Sequence, residues 1–143
     1  MITAVVDTNV LASGFVRPEP APGQLLLAWR DRLYTLVVSE HILVEFARTL
    51  EEPYFSKRLA PAERQRNLTL LRDEAVITPI TVEVHGVATH QEDDVVLSTA
   101  LSVPTDYLVT GDKKLQKLHI YQGVTILSPR EFVEILARDN REN

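Results

Sequence analysis

Acidic residues stand in four separated stretches of the sequence: Asp7 after the apolar run Ala4-Val5-Val6, Glu45 between Ile42 and Leu50, the triplet Glu92-Asp93-Asp94, and Asp112 closing Tyr107-Leu108-Val109-Thr110-Gly111. Brought together, carboxylates ~4 Å apart repel by about 4 kcal/mol per pair at an intermediate effective dielectric, so a cluster of them needs protons or a cation. The chain has no cysteine, and His41, His85, His90 and His119 contain no i, i+4 pair, so a cation would meet oxygen ligands and Mg²⁺ or Mn²⁺ is the expected cofactor. The four histidines read as surface or structural residues. Held by carboxylates, such ions can activate a bound water and offset negative charge that builds on a reacting group.

Each stretch has a plainer reading on its own. Asp7-Thr8-Asn9 suits a helix cap or Asx turn, and Thr110-Gly111-Asp112 an ordinary turn before Lys113-Lys114-Leu115-Gln116-Lys117. Glu92, Asp93 and Asp94 open a helix, where acids complement the dipole, and most helical glutamates are simply solvated.

Position within the fold favours the chemical reading. Ile2 to Val6, Thr35 to Val38, Tyr107 to Val109 and Val124 to Leu127 are apolar on successive residues, as strands covered on both faces are, and Ala75 to Thr78 is a weaker fifth. Helical patterns lie between them: Gln24 to Arg32, Glu40 to Glu51, Pro61 to Glu74, Glu92 to Ser102 and Pro129 to Ala137. Ser39 and Ser128 suit caps, and Pro61 and Pro129 first helical positions. This alternation predicts an α/β fold, a three-layer α/β/α sandwich with a central parallel sheet of four or five strands. The stretch Arg17-Pro-Glu-Pro-Ala-Pro-Gly23 is expected to be a surface loop after a short first helix. Ligands of such sheets sit beyond the carboxyl ends of the strands, where Asp7 and Asp112 emerge. Glu45 falls at the flank of the stripe Ile42, Leu43, Phe46 and Leu50. Spacing against Leu97, Ala100 and Leu101 does not separate Asp93 from Asp94.

In this order the motifs resemble the PIN domain, in particular the toxin components of bacterial and archaeal toxin–antitoxin systems. The resemblance spans residues 1–136 and rests on Val5-Val6-Asp7-Thr8-Asn9-Val10, the Pro/Gly-rich loop ending at Gly23, Val38-Ser39 followed by Glu45, Asp93-Asp94 followed by Leu97 and Ala100, and Tyr107 to Asp112. It implies a metal-dependent ribonuclease with Asp7, Glu45, Asp94 and Asp112 as its catalytic and metal-binding acids. Asn9, Ser39, Asp93 and Thr110 are then supporting or water-ordering groups. Relatives often carry Asp-Pro where this chain has His90-Gln91; between the paired acids, Asp94 is favoured as principal ligand by its distance to Ala100. The resemblance also implies a homodimer or higher homo-oligomer and a small antitoxin protein as partner.

The 143 residues, 45% hydrophobic and 24% charged, fit one domain, read as residues 1–137 with a polar tail at 138–143. A net charge of −5 excludes a polybasic nucleic-acid binder, so an RNA substrate would meet local cations. Lys113, Lys114 and Lys117 directly follow Asp112 and are the candidate RNA-binding residues; Lys57, Arg58, Arg64, Arg66 and Arg72 form a second basic stretch. Trp29, Tyr34, Phe46 and Phe132 sit in core patterns, whereas Tyr54-Phe55 suit a partner surface. The start of the chain reads as neither signal peptide nor membrane span, which leads to the expectation of a cytoplasmic protein. Asn9 stands where a haloacid-dehalogenase-type enzyme needs its second aspartate, the acidic pair of a receiver domain is missing, and the five glycines form no dinucleotide-binding turn. The rival from another class is a non-catalytic PIN-like module for nucleic-acid or protein binding.

Overall fold

Six strands and eight helices alternate in a computed structural model that describes residues 1–16 and 20–142. The strands are β1 (Thr3–Val6), β2 (Thr35–Val38), β3 (Val76–Ile77), β4 (Tyr107–Val109), β5 (Ile120–Tyr121) and β6 (Val124–Leu127). The helices are α1 (Thr8–Val16), α2 (Ala21–Arg30), α3 (Glu40–Glu51), α4 (Pro53–Ser56), α5 (Pro61–Glu74), α6 (Gln91–Leu101), α7 (Lys113–Gln116) and α8 (Pro129–Glu142). They build the expected three-layer α/β/α sandwich. The sheet order is β3-β2-β1-β4-β6-β5, so it holds six strands rather than four or five. All neighbours pair in parallel except β5, which runs antiparallel to β6. Two residues are too few to show a period, and β5 is held instead by a tight hairpin through Gln122 and Gly123, both at positive φ (48° and 87°).

The topology creates one privileged crevice. β1 is flanked by β2 on one side and β4 on the other, so the chain reverses its winding between β1 and β4. Val6 pairs with Val109, which brings residues 7 and 110 out side by side. The Asp7 N–H continues the ladder to the Val109 carbonyl (2.9 Å), and the Thr110 N–H does so to Leu127 (3.0 Å). Ala4, Val5, Val6, Leu108 and Val109 are wholly buried, as strands covered on both faces must be.

Three local expectations change. Ala21-Pro22-Gly23 is helical, because a proline in the first turn gives up an N–H that has no intrahelical partner there; Arg17, Pro18 and Glu19 lie outside the described residues. A side chain at Gly14 would come within 2.7 Å of the Pro22 carbonyl, so this glycine lets α1 and α2 abut. Residues 138–142 continue α8 past its expected end at Ala137. Reciprocal bonds between Ser128 and Glu131 (2.9 and 3.2 Å) nucleate this helix, which then propagates past its last core residue, Leu136. Trp29, Tyr34, Phe46 and Phe132 are core residues as expected. Of the pair offered as a partner surface, Phe55 is buried and only Tyr54 is exposed, with the Arg58 guanidinium 3.9 Å above its ring.

Candidate acidic active site

Asp7 leaves β1 and caps α1: its Oδ1 accepts from the Val10 N–H at 2.9 Å. The helix-cap reading is therefore correct, and it does not exhaust the residue. Oδ2 accepts from the Thr110 hydroxyl (2.7 Å) and the Gly111 N–H (3.0 Å), which ties β1 to β4 at the crevice. Burial pushes the Asp7 carboxyl above its ordinary value; the bonds from Thr110, Val10 and Gly111 oppose that shift, and the charge of Asp112 adds to it.

Asp112 is likewise a cap, accepting from the Leu115 N–H (2.9 Å) at the start of α7. Its own N–H donates to the Thr110 hydroxyl oxygen (3.0 Å), so Thr110, fully buried, bridges the two aspartates. Partial burial works against ionisation of Asp112, but bonds from Thr89 and Leu115 and the charge of His90 outweigh it and hold the carboxyl below its ordinary value. Lys113, Lys114 and Lys117 are all exposed on the outer side of this turn.

At α6 the two adjacent acids have different surroundings. Asp94, favoured as principal ligand, is buried with its carboxylate bonded to the backbone N–H groups of Gly86, Val87 and Ala88 at 2.8 to 3.0 Å. Asp93, expected in support, lines a cavity with Asn9 and Glu45: burial, then the charges of Asp7 and Asp112, push its carboxyl up to about 6. Successive helical positions differ by about 100°, so only one of two adjacent acids can face a given point. The loop ahead of α6 decides which, by capturing Asp94.

Glu45 is half-buried on α3, with Arg48 at 3.7 Å. It lines a cavity of about 200 Å³ whose other walls include Asn9, Thr49, Glu52, His90, Glu92 and Asp93. Glu45 therefore shares a cavity with Asp93, apart from the hydrogen bonds that tie Asp7 to Asp112. A larger cavity of about 600 Å³ lies beside it between α3 and α6, lined by Ile42, Val44, Val95 and Val96 with Glu40, Arg48 and Glu92. Ser39 is buried, accepting from the Ile42 N–H (3.4 Å) as the cap of α3 and from the Thr99 hydroxyl (2.9 Å) of α6. It fixes α3 against α6 without contact to the aspartates.

Sequence reasoning missed Thr89, whose N–H donates to Asp112 Oδ2 (3.4 Å), and Gln116, whose Nε2 donates to the Thr110 carbonyl (2.7 Å). Gln116 was signalled only by its place one turn after Asp112. His90, read as surface or structural, is exposed, and its charge reaches both Asp93 and Asp112.

The donor set fits a hard divalent cation: oxygen atoms only, two carboxyls raised by burial and mutual repulsion, and no ion pair from lysine or arginine to Asp7, Asp93 or Asp112 among the described residues. Among the described residues, no three His, Asp or Glu side chains are gathered closely enough to hold a metal ion as they stand. Nor is any helix among them long and apolar enough to cross a membrane.

Comparison with known proteins agrees with this architecture. The fold is similar to that of a chain in the crystal structure of VapBC2 from Rickettsia felis bound to a DNA fragment from their promoter, with a TM-score of 0.57 and 15% identity over 87% of this chain and 97% of that one. No curated protein matches the sequence. The family model described as PIN domain matches residues 3–114, from the first strand through the turn that carries Asp112, and the chain belongs to the PIN domain family.

Proposed function

We propose that the protein is a Mg²⁺- or Mn²⁺-dependent endoribonuclease that hydrolyses phosphodiester bonds in single-stranded RNA and serves as the toxin of a toxin–antitoxin pair. PIN domains are generally nucleases and generally use divalent metal ions, which supports the reaction class. The observation that carries the reading is the tie between Asp7 and Asp112 through Thr110 at the switch between β1 and β4, near enough to Asp93 for both charges to raise its carboxyl, with no lysine or arginine ion-paired to any of the three among the described residues.

In this mechanism Asp7, Asp93 and Asp112 hold the cation, and Glu45 borders the cavity through which substrate reaches it. A bound divalent ion supplies a water of lowered pKa and positive charge for the phosphate oxygens. Thr110 and the Gly111 N–H keep Asp7 in one orientation, and Thr110 carries the same constraint to Asp112. Asn9 lines the cavity and orders water there. Lys113, Lys114 and Lys117 meet the phosphates that flank the scissile one, which reconciles an RNA substrate with a chain of net charge −5. The antitoxin partner is supported by the likeness to a chain of the VapBC2 structure, and the apolar cavity between α3 and α6 offers it a seat beside the acids.

The test is cleavage of single-stranded RNA by the purified chain with Mg²⁺ or Mn²⁺. Chelator stops it, and Asp7→Asn, which keeps a capping side chain, abolishes it in a folded protein. A second reading, a non-catalytic PIN-like binding module, is favoured by the absence of a ready-made metal cluster among the described residues. RNA binding without metal-dependent cleavage would select it. Replacing the three lysines by alanine is expected to weaken RNA binding and lower the slope of its salt dependence by up to about 3; an unchanged slope removes them from the interface.

A further inference from the structure

The crossover from β3 to α6, residues 78–90, contains no helix or strand, and α6 holds its backbone instead. Asp94 and Ser98 of that helix and Ser102, its C-cap, follow one another at four-residue spacing and form one stripe. The Ser102 hydroxyl oxygen accepts from the N–H groups of Thr81 (2.9 Å) and Val82 (3.2 Å), and that of Ser98 accepts from Val84 (3.0 Å). Both hydroxyls donate back to helix carbonyls at 2.8 Å. The Asp94 carboxylate completes the stripe: Oδ2 accepts from Gly86 at 3.0 Å, and Oδ1 from Val87 at 3.0 Å and Ala88 at 2.8 Å. Gly86 at φ 69° turns the chain so that three successive N–H groups converge on one side chain. The next residue, Thr89, donates its N–H to Asp112, and His90 after it is the N-cap of α6, whose first turn carries Asp93.

We infer that Asp94 is a positioning residue: by clamping residues 86–88 it sets Thr89 against Asp112 and fixes the first turn of α6 that presents Asp93. The inference rests on the reading of Asp7, Asp93 and Asp112 as the cation-binding acids. It gives the two adjacent aspartates separate tasks, one inside the crevice and one behind it. The lower part of the stripe, Ser98 and Ser102, anchors residues farther from the acids and has no such task.

The experiment uses the full chain, with backbone amide exchange measured by NMR without metal and Mn²⁺ binding measured by calorimetry. Asp94→Asn opposes an amide N–H₂ to one or more of the three backbone donors. Exchange at residues 86–89 is expected to quicken, and Mn²⁺ affinity to fall about tenfold, as for other groups that orient a ligand from behind. Ser98→Ala releases Val84 but not residues 86–88, and its Mn²⁺ affinity stays within about twofold of wild type. Equal losses in the two variants mean general loosening and overturn the inference, as does quickened exchange with unchanged Mn²⁺ affinity. Loss of Mn²⁺ binding with unchanged exchange also overturns it and makes Asp94 a direct ligand. If Asp94→Asn does not fold, Gly86→Ala strains the same turn without touching α6, and unchanged Mn²⁺ affinity there is equally fatal. A wild-type chain that binds no Mn²⁺ defeats the cation-site reading itself, and the inference with it.

Discussion

Two groups of acidic side chains at opposite ends of the sheet are held in different ways. At the amino ends of the strands, Asp106 accepts from the Thr3 N–H at 2.9 Å, and Glu74 is ion-paired with Arg30 beside Met1 and Trp29. At the carboxyl ends, Asp7, Asp93 and Asp112 stand within reach of one another's charge with only hydrogen bonds and a histidine to moderate them, and two of the three are pushed toward protonation. Nothing in the fold demands that gathering, because capping alone would place Asp7 and Asp112 without Asp93. The contrast is one of partners: at the amino end Glu74 meets a counter-charge and Asp106 a backbone N–H, and at the carboxyl end the charges of Asp7 and Asp112 raise Asp93 with no lysine or arginine paired to the three among the described residues.

Substitution can break this contrast. The largest expected effect is on rate: Asp93→Asn lowers metal-dependent RNA cleavage by about a thousandfold, roughly 4 kcal/mol in barrier, whereas Glu74→Gln leaves it unchanged. Cleavage assays on the two variants would refute the assignment if the losses were similar. Next, a divalent ion at about 100 times its dissociation constant adds about 2.7 kcal/mol to the stability of the wild type, read from denaturant unfolding, and adds little to Asp93→Asn.

The pH dependence sharpens the comparison further. Asp93 titrates near 6 in the folded chain against an ordinary value of 3.8, so between those values the native state binds more protons than the unfolded one. The contribution of Asp93 to the stability of the metal-free protein therefore falls as pH rises from about 4 through about 6, and Asp93→Asn removes that contribution, for a gain of about 1 kcal/mol at pH 7 once its partial exposure is discounted. Unfolding curves of both proteins at pH 4 and pH 7 check the sign. The smallest effect belongs to the amino end: Glu74→Gln breaks an exposed pair and changes stability by less than about 1 kcal/mol at either pH.

Much of this was legible in the sequence for identifiable reasons. Successive apolar residues marked β1 and β4, and the acids at their carboxyl ends followed from where parallel sheets bind ligands. The different surroundings of Asp93 and Asp94 were not legible, because they follow from an irregular loop whose backbone donors have no signature in periodicity. β5 and α7 were too short for any period, and the extension of α8 past Leu136 depends on propagation rather than on an apolar face. The function of Gln116 as a brace on Thr110 likewise depends on tertiary proximity.

Finally, both margins of the sheet end in strands of two residues: β3, followed by Thr78 and Pro79, and β5, turned back by Gly123. A neighbouring molecule seeking to extend the sheet finds scarcely one rung to grip, and a proline just past one of them. Such blunted borders protect an otherwise parallel, strongly apolar sheet from ribbon-like polymerisation, a hazard that longer margins would invite.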